Sequence, residues 1–360
     1  MEVLIAEIPE SVKLPFLLLS KLGLFSTNKF KAYIPMSILA LIVANLVLIA
    51  MLQFLNVKRD ISDIVRNLED ILAFSMAMVR MMIVTYRNED FTRLFQTAKL
   101  FWDPSKCNQQ TKMKLMAIRR FTSQLQRLLF LAVLICVLLV IIFPLLQNTI
   151  PTGIWTMKGH EMLYRFVLIE QIIVIPFCAF FVCSLDCMYL GFCAEIVIQF
   201  RILSQTLQKL KVEGNAVNQV ETNQLQEMKC CVRHHRIILR FVKEFREAFS
   251  LVLLIEFVID GPLICAELLA AFESRSYQNQ MRHVIIFSFV TLQLAFFCIP
   301  ANYITNEAMA VSDAVYFSNW YFQHVPALKV PLLLIIQSSQ NEITIKAGDL
   351  VIINAGTIVN

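Results

Sequence analysis

Apolar residues dominate six stretches of the chain, 34–55, 64–84, 128–146, 163–182 with an extension to 198, 249–271 and 284–304, and charged residues collect between them. A helix rises about 1.5 Å per residue and the hydrocarbon core of a bilayer is about 30 Å thick, so a crossing needs about 20 mostly apolar residues. All six stretches are long enough, and each predicts a membrane-spanning helix. A seventh apolar run at 350–360 has about half that length. It predicts the start of a seventh helix, with Leu350, Asn354 and Ile358 on it, that is truncated in this chain.

The expected fold is therefore an all-α polytopic membrane protein, a seven-transmembrane helical bundle with an incomplete last helix. Its organisation reads as an N-terminal segment 1–33, a six-span bundle 34–305 with long connecting loops at 87–127 and 199–247, a segment 306–349 containing a half-helix, and the unfinished run 350–360.

Orientation follows from basic residues, because short loops rich in Lys and Arg stay in the cytoplasm. Lys13, Lys21, Lys29 and Lys31 precede the first span; nine Lys and Arg lie from Arg87 to Arg127, and another nine from Arg201 to Arg246. The alternate connections hold only Lys58, Arg59, Lys158, Arg165, Arg275 and Arg282. A cytoplasmic N-terminus is the expectation, which is opposite to a G-protein-coupled receptor. Acidic Glu2, Glu7 and Glu10, and Lys21 inside the apolar stretch 14–25, argue against a cleaved signal peptide.

Composition sharpens this. Of 360 residues, 58% are hydrophobic and 16% charged, against about 45–50% and about 25% in soluble domains. The net charge of +5 does not point to nucleic acid, since the cations form no stripe interleaved with exposed aromatics. Of ten cysteines, Cys136, Cys178, Cys183, Cys187, Cys193, Cys265 and Cys298 lie in or beside apolar runs, and Cys107, Cys230 and Cys231 in segments assigned to the cytoplasm. That placement suits reduced thiols rather than a disulfide framework.

Phosphate-binding Gly-rich loops, paired CxxC motifs, a GxSxG elbow and HExxH are absent, so no enzyme and no cofactor is expected. In the segment 230–235, Cys230/His234 and Cys231/His235 are each four apart, but the two pairs point about 100° apart on a helix and do not converge on one ion. The alternatives are a basic helix leading into the fifth span, or one that also meets anionic lipid headgroups.

Charged residues inside spans are costly and so mark candidate sites. Arg66, Glu69 and Asp70 are spaced for a pair within one helix, Arg80 is expected to snorkel to the interface, and Glu256, Asp260 and Glu267 share a face, either hydrogen-bonded to neighbouring helices or lining a cation path. Ile71, Phe74, Ser75 and Met78 form one stripe at i, i+3, i+4 and i+7. Such a stripe is ordinary helix packing or the wall of an apolar ligand cavity.

The C-terminal third carries the most specific pattern. Ser312, Tyr316 and Trp320 stand in a Ser-x3-Tyr-x3-Trp array, the apolar segment 332–340 follows, and Ile345-Lys346-Ala347-Gly348 leads into the final run. This resembles the insect odorant receptor family; the likeness extends over the whole chain in topology and is residue-specific from about Asn302. The resemblance implies a subunit of a tetrameric ligand-gated cation channel in the plasma membrane of a sensory neuron, assembled with the family's shared co-receptor. It implies a small volatile ligand held in the outer half of the bundle, with Ile71, Phe74, Ser75, Met78, Phe143, Leu146, Leu168, Ile172, Ile286 and Phe289 as the expected contacts. It also makes Ser312, Tyr316 and Trp320 an anchor motif and 350–360 the start of the pore helix. A gustatory-type receptor shares that plan, a G-protein-coupled receptor requires the reverse orientation, and a secondary transporter lacks support from any inverted repeat.

Overall fold

The structure is a computed structural model that describes residues 8–21, 23–25, 29–56, 61–146, 151, 161–209, 218–274, 276–318, 326–340 and 343–358. Nine α-helices fill nearly all of it: α1 (Glu10–Lys21), α2 (Lys29–Asn56), α3 (Ile61–Tyr86), α4 (Asn88–Ala98), α5 (Gln109–Leu146), α6 (Glu161–Lys209), α7 (Asn218–Glu273), α8 (Tyr277–Tyr316) and α9 (Pro326–Gln340). Four of them, α5, α6, α7 and α8, are long and apolar enough to cross a membrane, and α2 carries a shorter apolar stretch at Met36–Leu52. α3 is the amphipathic member of the set, since its charges thin the apolar run to one face.

Prolines stand inside α5 (Pro144), α6 (Pro176), α7 (Pro262) and α8 (Pro300). Spanning helices tolerate such breaks because neighbouring helices satisfy the freed carbonyls.

α6 is the central post, touching α1, α2, α3, α5, α7 and α8. Between Cys183 and Leu203 it is buried on nearly every side, as expected of a helix that is apolar all round. The dense core sits at this end of the bundle, where α1 and α4 pack across the long helices. Phe16, Phe91, Phe95, Tyr189, Phe192, Phe241, Phe245, Phe249 and Phe297 are all fully buried there. Their rings meet edge-on or tilted, Phe16 with Phe95 at 4.7 Å and Phe91 with Phe249 at 5.1 Å between centroids, the arrangement that ring quadrupoles favour. By contrast, Leu131, Leu138, Leu139 and Ile142 of α5 lie exposed. Within lipid nothing drives such side chains together, so they face the acyl chains.

α1 is seated by a polar clamp. The Ser11 hydroxyl donates to Glu195 Oε1 (2.6 Å), Arg119 meets both oxygens of Glu195 (2.9 and 2.8 Å), and the Gln126 amide donates to the carbonyls of Ser11 (2.7 Å) and Cys187 (2.8 Å). Gly191 makes the approach feasible: a Cβ there would stand 2.4 Å from the Ser11 carbonyl oxygen.

Two differences from the sequence expectation concern the connections. Much of 87–127 and 199–247 is helical, because α4, the first turns of α5, the tail of α6 and the first half of α7 run through them. The run beginning at Leu350 does not begin as a helix. Ile345–Ala347 (β1) and Val351–Ile353 (β2) pair antiparallel, with Ile345 opposite Ile353 and Ala347 opposite Val351, and Leu350 lies in the turn. Gly348 and Asp349 both have positive φ (58° and 56°), which suits a tight hairpin, and the β-branched Val351, Ile352 and Ile353 favour the extended form. The Gly348 N–H donates to the Ser250 carbonyl of α7 (3.1 Å), and Ile345, Ala347 and Ile353 are buried.

A helical turn, Ala355–Ile358, starts only after the hairpin. Asn354 caps it: its Oδ1 accepts from the Thr357 N–H, and its own N–H donates to Thr357 Oγ1, both at 3.0 Å. This reciprocal pair satisfies two helix-start donors in the manner of a capping box. The helix start expected at Leu350 is thus moved to Asn354.

Candidate functional site

Away from the α1 clamp, charged side chains that link α3, α6, α7 and α8 form two layers. In the lower layer, nearer α1 and α4, Arg80 of α3 is fully buried and pairs with Asp186 of α6 (2.9 Å) and with Glu256 of α7. Gln293 of α8 donates its amide to Glu256. Asp260, one turn along α7, is also buried.

The upper layer joins Glu69 of α3 to Arg282 of α8 and His283 of α8 to Glu267 of α7 (2.8 Å). Nearby in the bundle, the Asn45 amide of α2 donates to both carboxylate oxygens of Glu170 on α6 (3.0 and 3.1 Å). Along α3 from Glu69 to Arg80, along α7 from Glu267 to Glu256, and along α8 from Arg282 to Gln293, the two layers are three helical turns apart. That is roughly 16 Å at 1.5 Å per residue.

Between the layers most side chains are apolar, though Ser75 of α3, Asp260 of α7, and Ser288 and Thr291 of α8 also lie there. α3 packs on α2, α7 and α6, and it is joined to α8 by the Glu69–Arg282 pair. α3 thus presents a mostly apolar face between two polar layers, the kind of lining that small-ligand sites use. Phe74 is buried in the core, Met78 packs half-buried against it, and Ile71 and Ser75 are half-buried on the same stripe. Leu168 and Ile172 of α6 and Ile286 of α8 are half-buried too.

Two other expected contacts are exposed. Leu146 ends α5, which packs mainly on α6, and is 77% exposed; Phe289 of α8 is 60% exposed. The backbones of Phe143 and Ile358 are placed, but their side chains lie outside what is described, and Trp320 lies outside the described residues altogether, as does most of the 151–155 segment. Ser312 donates to the Met309 carbonyl (2.8 Å) on α8, and Tyr316, the last residue of that helix, is exposed with its ring edge-on to Phe317.

One further expectation is corrected. Arg80 does not snorkel but is the centre of the lower layer, because it has carboxylates on two neighbouring helices to pair with. Glu69 pairs with Arg282 across helices, which ties α8 to α3, and also feels the charge of Arg66 in its own helix. Glu256 and Glu267 hydrogen-bond to neighbouring helices, the first of the two readings their spacing allowed. Asp186, Arg282, His283 and Gln293 escaped the sequence reading. Their signal was a polar residue isolated in an apolar run, as Asp186 is in Cys183-Ser184-Leu185-Asp186-Cys187-Met188, which demands an opposite charge from another helix.

Among the described residues, no group of three or more His, Cys, Asp or Glu side chains is placed to hold a metal ion. At Cys230-Cys231-Val232-Arg233-His234-His235, both histidines are buried, and His234 stacks flat on Trp102 with ring centroids 3.9 Å apart.

Long apolar helices bound by buried ion pairs define a multi-pass helical membrane protein. The pattern of the 7tm Odorant receptor family matches residues 60–359, so the chain belongs to that family of odorant-sensing receptors rather than to a family of enzymes. Among similar proteins, Odorant receptor 82a of Drosophila melanogaster is 24% identical over 193 residues, covering 53% of this chain and 47% of the relative. Odorant receptor Or2 of Anopheles gambiae is 26% identical over 220 residues, covering 56% and 54%. The chain thus spans about half the length of the curated relatives it matches. The fold is similar to that of the insect olfactory receptor OR5 from Machilis hrabei, with a TM-score of 0.77 at 14% identity, over 92% of this chain and 86% of that one. A second structure of that receptor, in complex with eugenol, aligns with a TM-score of 0.73 at 15% identity.

Proposed function

We propose that this chain is an odorant receptor subunit of the plasma membrane. It holds a small, mostly apolar volatile ligand in the compartment between the two polar layers, and with the family's shared co-receptor it gates a cation channel as a hetero-tetramer. The observation that carries the reading is the apolar Phe74 and Met78 stripe on α3, which lies between the buried Arg80 ion pairs and the half-buried Glu69–Arg282 pair. A ligand that enters there exchanges water for apolar contact, at about 25 cal/mol per Å² of surface removed from water.

The resemblance of 312–320 to the family's anchor motif, and the helical start at Asn354, support assignment of the C-terminal part to the pore-forming element. The distribution of Lys and Arg supports a cytoplasmic N-terminus, with the compartment in the outer half of the membrane.

The test is to coexpress the full-length chain with the co-receptor and record odorant-evoked cation current over a panel of volatiles. Phe74→Ala and Met78→Ala are expected to shift half-maximal concentrations by about tenfold or more, the equivalent of about 1.4 kcal/mol, with surface expression unchanged. Dose–response curves that coincide with wild type for every active volatile would refute the compartment as the ligand site. An N-terminal epitope tag should be reached by antibody only after permeabilisation, and labelling of intact cells would refute the orientation.

A further inference from the structure

The part of α7 that precedes its apolar run carries a charged stripe that the ligand reading does not use. Lys229, Arg233, Arg236, Arg240 and Lys243 are all exposed, and their spacing of four, three, four and three residues puts them on one face. The opposite face, with Cys231, His234, Ile238, Phe241 and Phe245, is buried against the bundle. Arg240 pairs with Glu244 (2.8 Å) and Lys243 with Glu247 (4.0 Å), both within the helix. Lys229, Arg233 and Arg236 form no ion pair among the described residues.

Position along α7 selects the partner. Counted from Phe249, where the apolar run begins, Arg236 lies thirteen residues away and Lys229 twenty, roughly 20 and 30 Å along a helix. The headgroup layer is only about 5–8 Å deep, and physiological salt screens charge over about 8 Å. Lipid headgroups therefore reach Lys243 and Arg240, which already have partners, and leave the three unpaired cations standing in water. Beside these cations lies a groove of about 540 Å³ whose walls include Trp102, Ile202, Gln205, Thr206 and Cys230. Gln205 Oε1 is buried there with no hydrogen-bond partner among the described residues. Lys209 and Glu227 also line the groove and offset one another, so the positive charge of this surface is that of the stripe.

We infer that this face of α7 docks an acidic helical segment of a partner protein, with carboxylates meeting Lys229, Arg233 and Arg236 and one apolar side chain seated against Trp102 and Ile202. Charge complementarity selects that occupant. Unpaired cations at a repeat of three and four residues match carboxylates at the same repeat on a second helix, as charged positions do in paired helices. The exposed charges set specificity and the rate of encounter, and the apolar side chain in the groove supplies most of the affinity. A donor on the segment satisfies Gln205 Oε1. The surface stands apart from the ligand compartment, and the inference does not depend on that reading.

The experiment uses the full-length chain in phosphatidylcholine nanodiscs and a fluorescein-labelled helical peptide of repeated Glu-Ala-Ala-Glu-Ala-Ala-Ala carrying one tryptophan, with binding read by anisotropy. Binding is expected to weaken about tenfold or more as salt rises from about 50 to about 300 mM. Arg233→Glu combined with Arg236→Glu should weaken it at least as much; both side chains are exposed, so the double variant should melt at the wild-type temperature. The same peptide with Gln for Glu is expected not to bind, and removal of the tryptophan should weaken binding several-fold. No binding at low salt, equal binding of the Gln peptide, or a double variant that binds as wild type would overturn the inference. Loss of binding when phosphatidylserine enters the nanodiscs would assign the stripe to lipid headgroups and overturn it as well. Equal affinity without the tryptophan would overturn the groove as the anchor.

Discussion

Arg80 of α3 and Glu256 of α7 form an ion pair in which neither side chain has any exposed surface. Asp186 of α6 completes the triad, so one guanidinium ties three helices together at one depth. Desolvating these charges is costly, and the gain is recovered only while every partner stays in place. Arg80→Met is therefore expected to cost about 3–5 kcal/mol by leaving two carboxylates buried and unpaired. Combining it with Glu256→Met and Asp186→Asn should recover most of that loss. Thermal unfolding of the detergent-solubilised protein tests this, and a triple variant no more stable than Arg80→Met would contradict it.

Gly191 governs how closely α1 can approach α6. Gly191→Ala places a methyl 2.4 Å from a backbone oxygen, which has no flexible end to swing away. α1 must then withdraw, stretching the Ser11 bond to Glu195 and the Gln126 bond to the Ser11 carbonyl. Overpacking of this kind costs about 1–3 kcal/mol. Faster hydrogen exchange over residues 10–21 is the expected signature. Gly261→Ala is the matched control, since nothing lies within 4 Å of a Cβ there; it should leave exchange in α1 at the wild-type rate.

The spanning helices α5, α6, α7 and α8 were legible because a run of about 20 apolar residues has few alternatives to a crossing helix. The stripe from Ile71 to Met78 was legible from its period alone, and the structure keeps Phe74 and Met78 in the core. The partner choices of the buried charges were not. Arg80 near the end of an apolar run reads the same whether it reaches for the interface or for Asp186, and only the packing of α3 against α6 and α7 decides. Glu69 had Arg66 within reach on its own helix, and nothing local reveals that Arg282 arrives from α8. The hairpin was hidden for another reason: Val351, Ile352 and Ile353 are apolar enough for a span, and the turn at Gly348 and Asp349 wins because a first helical turn is costly to nucleate whereas the hairpin buries Ile345 and Ile353 at once.

His234 and His235, at the far end of α7 from the compartment, make the stability of that end dependent on pH. Burial pushes the His234 imidazole down to about 3, with His235 adding to the effect, and burial pushes His235 down to about 4. An unfolded histidine titrates near 6.5, so between about pH 6.5 and those values the unfolded chain binds more protons than the folded one. Stability is then complete above about pH 6.5 and falls as the pH drops below it, with each histidine contributing a loss of about 2 kcal/mol at pH 5. His234 has no hydrogen bond to either ring nitrogen among the described residues and lies flat on Trp102, so His234→Phe should keep the stack while removing the proton site. The melting temperature of the solubilised wild-type protein is expected to fall between pH 7.5 and pH 5, and His234→Phe combined with His235→Leu should flatten that fall. An equally steep dependence in the double variant would assign the acid sensitivity to other groups.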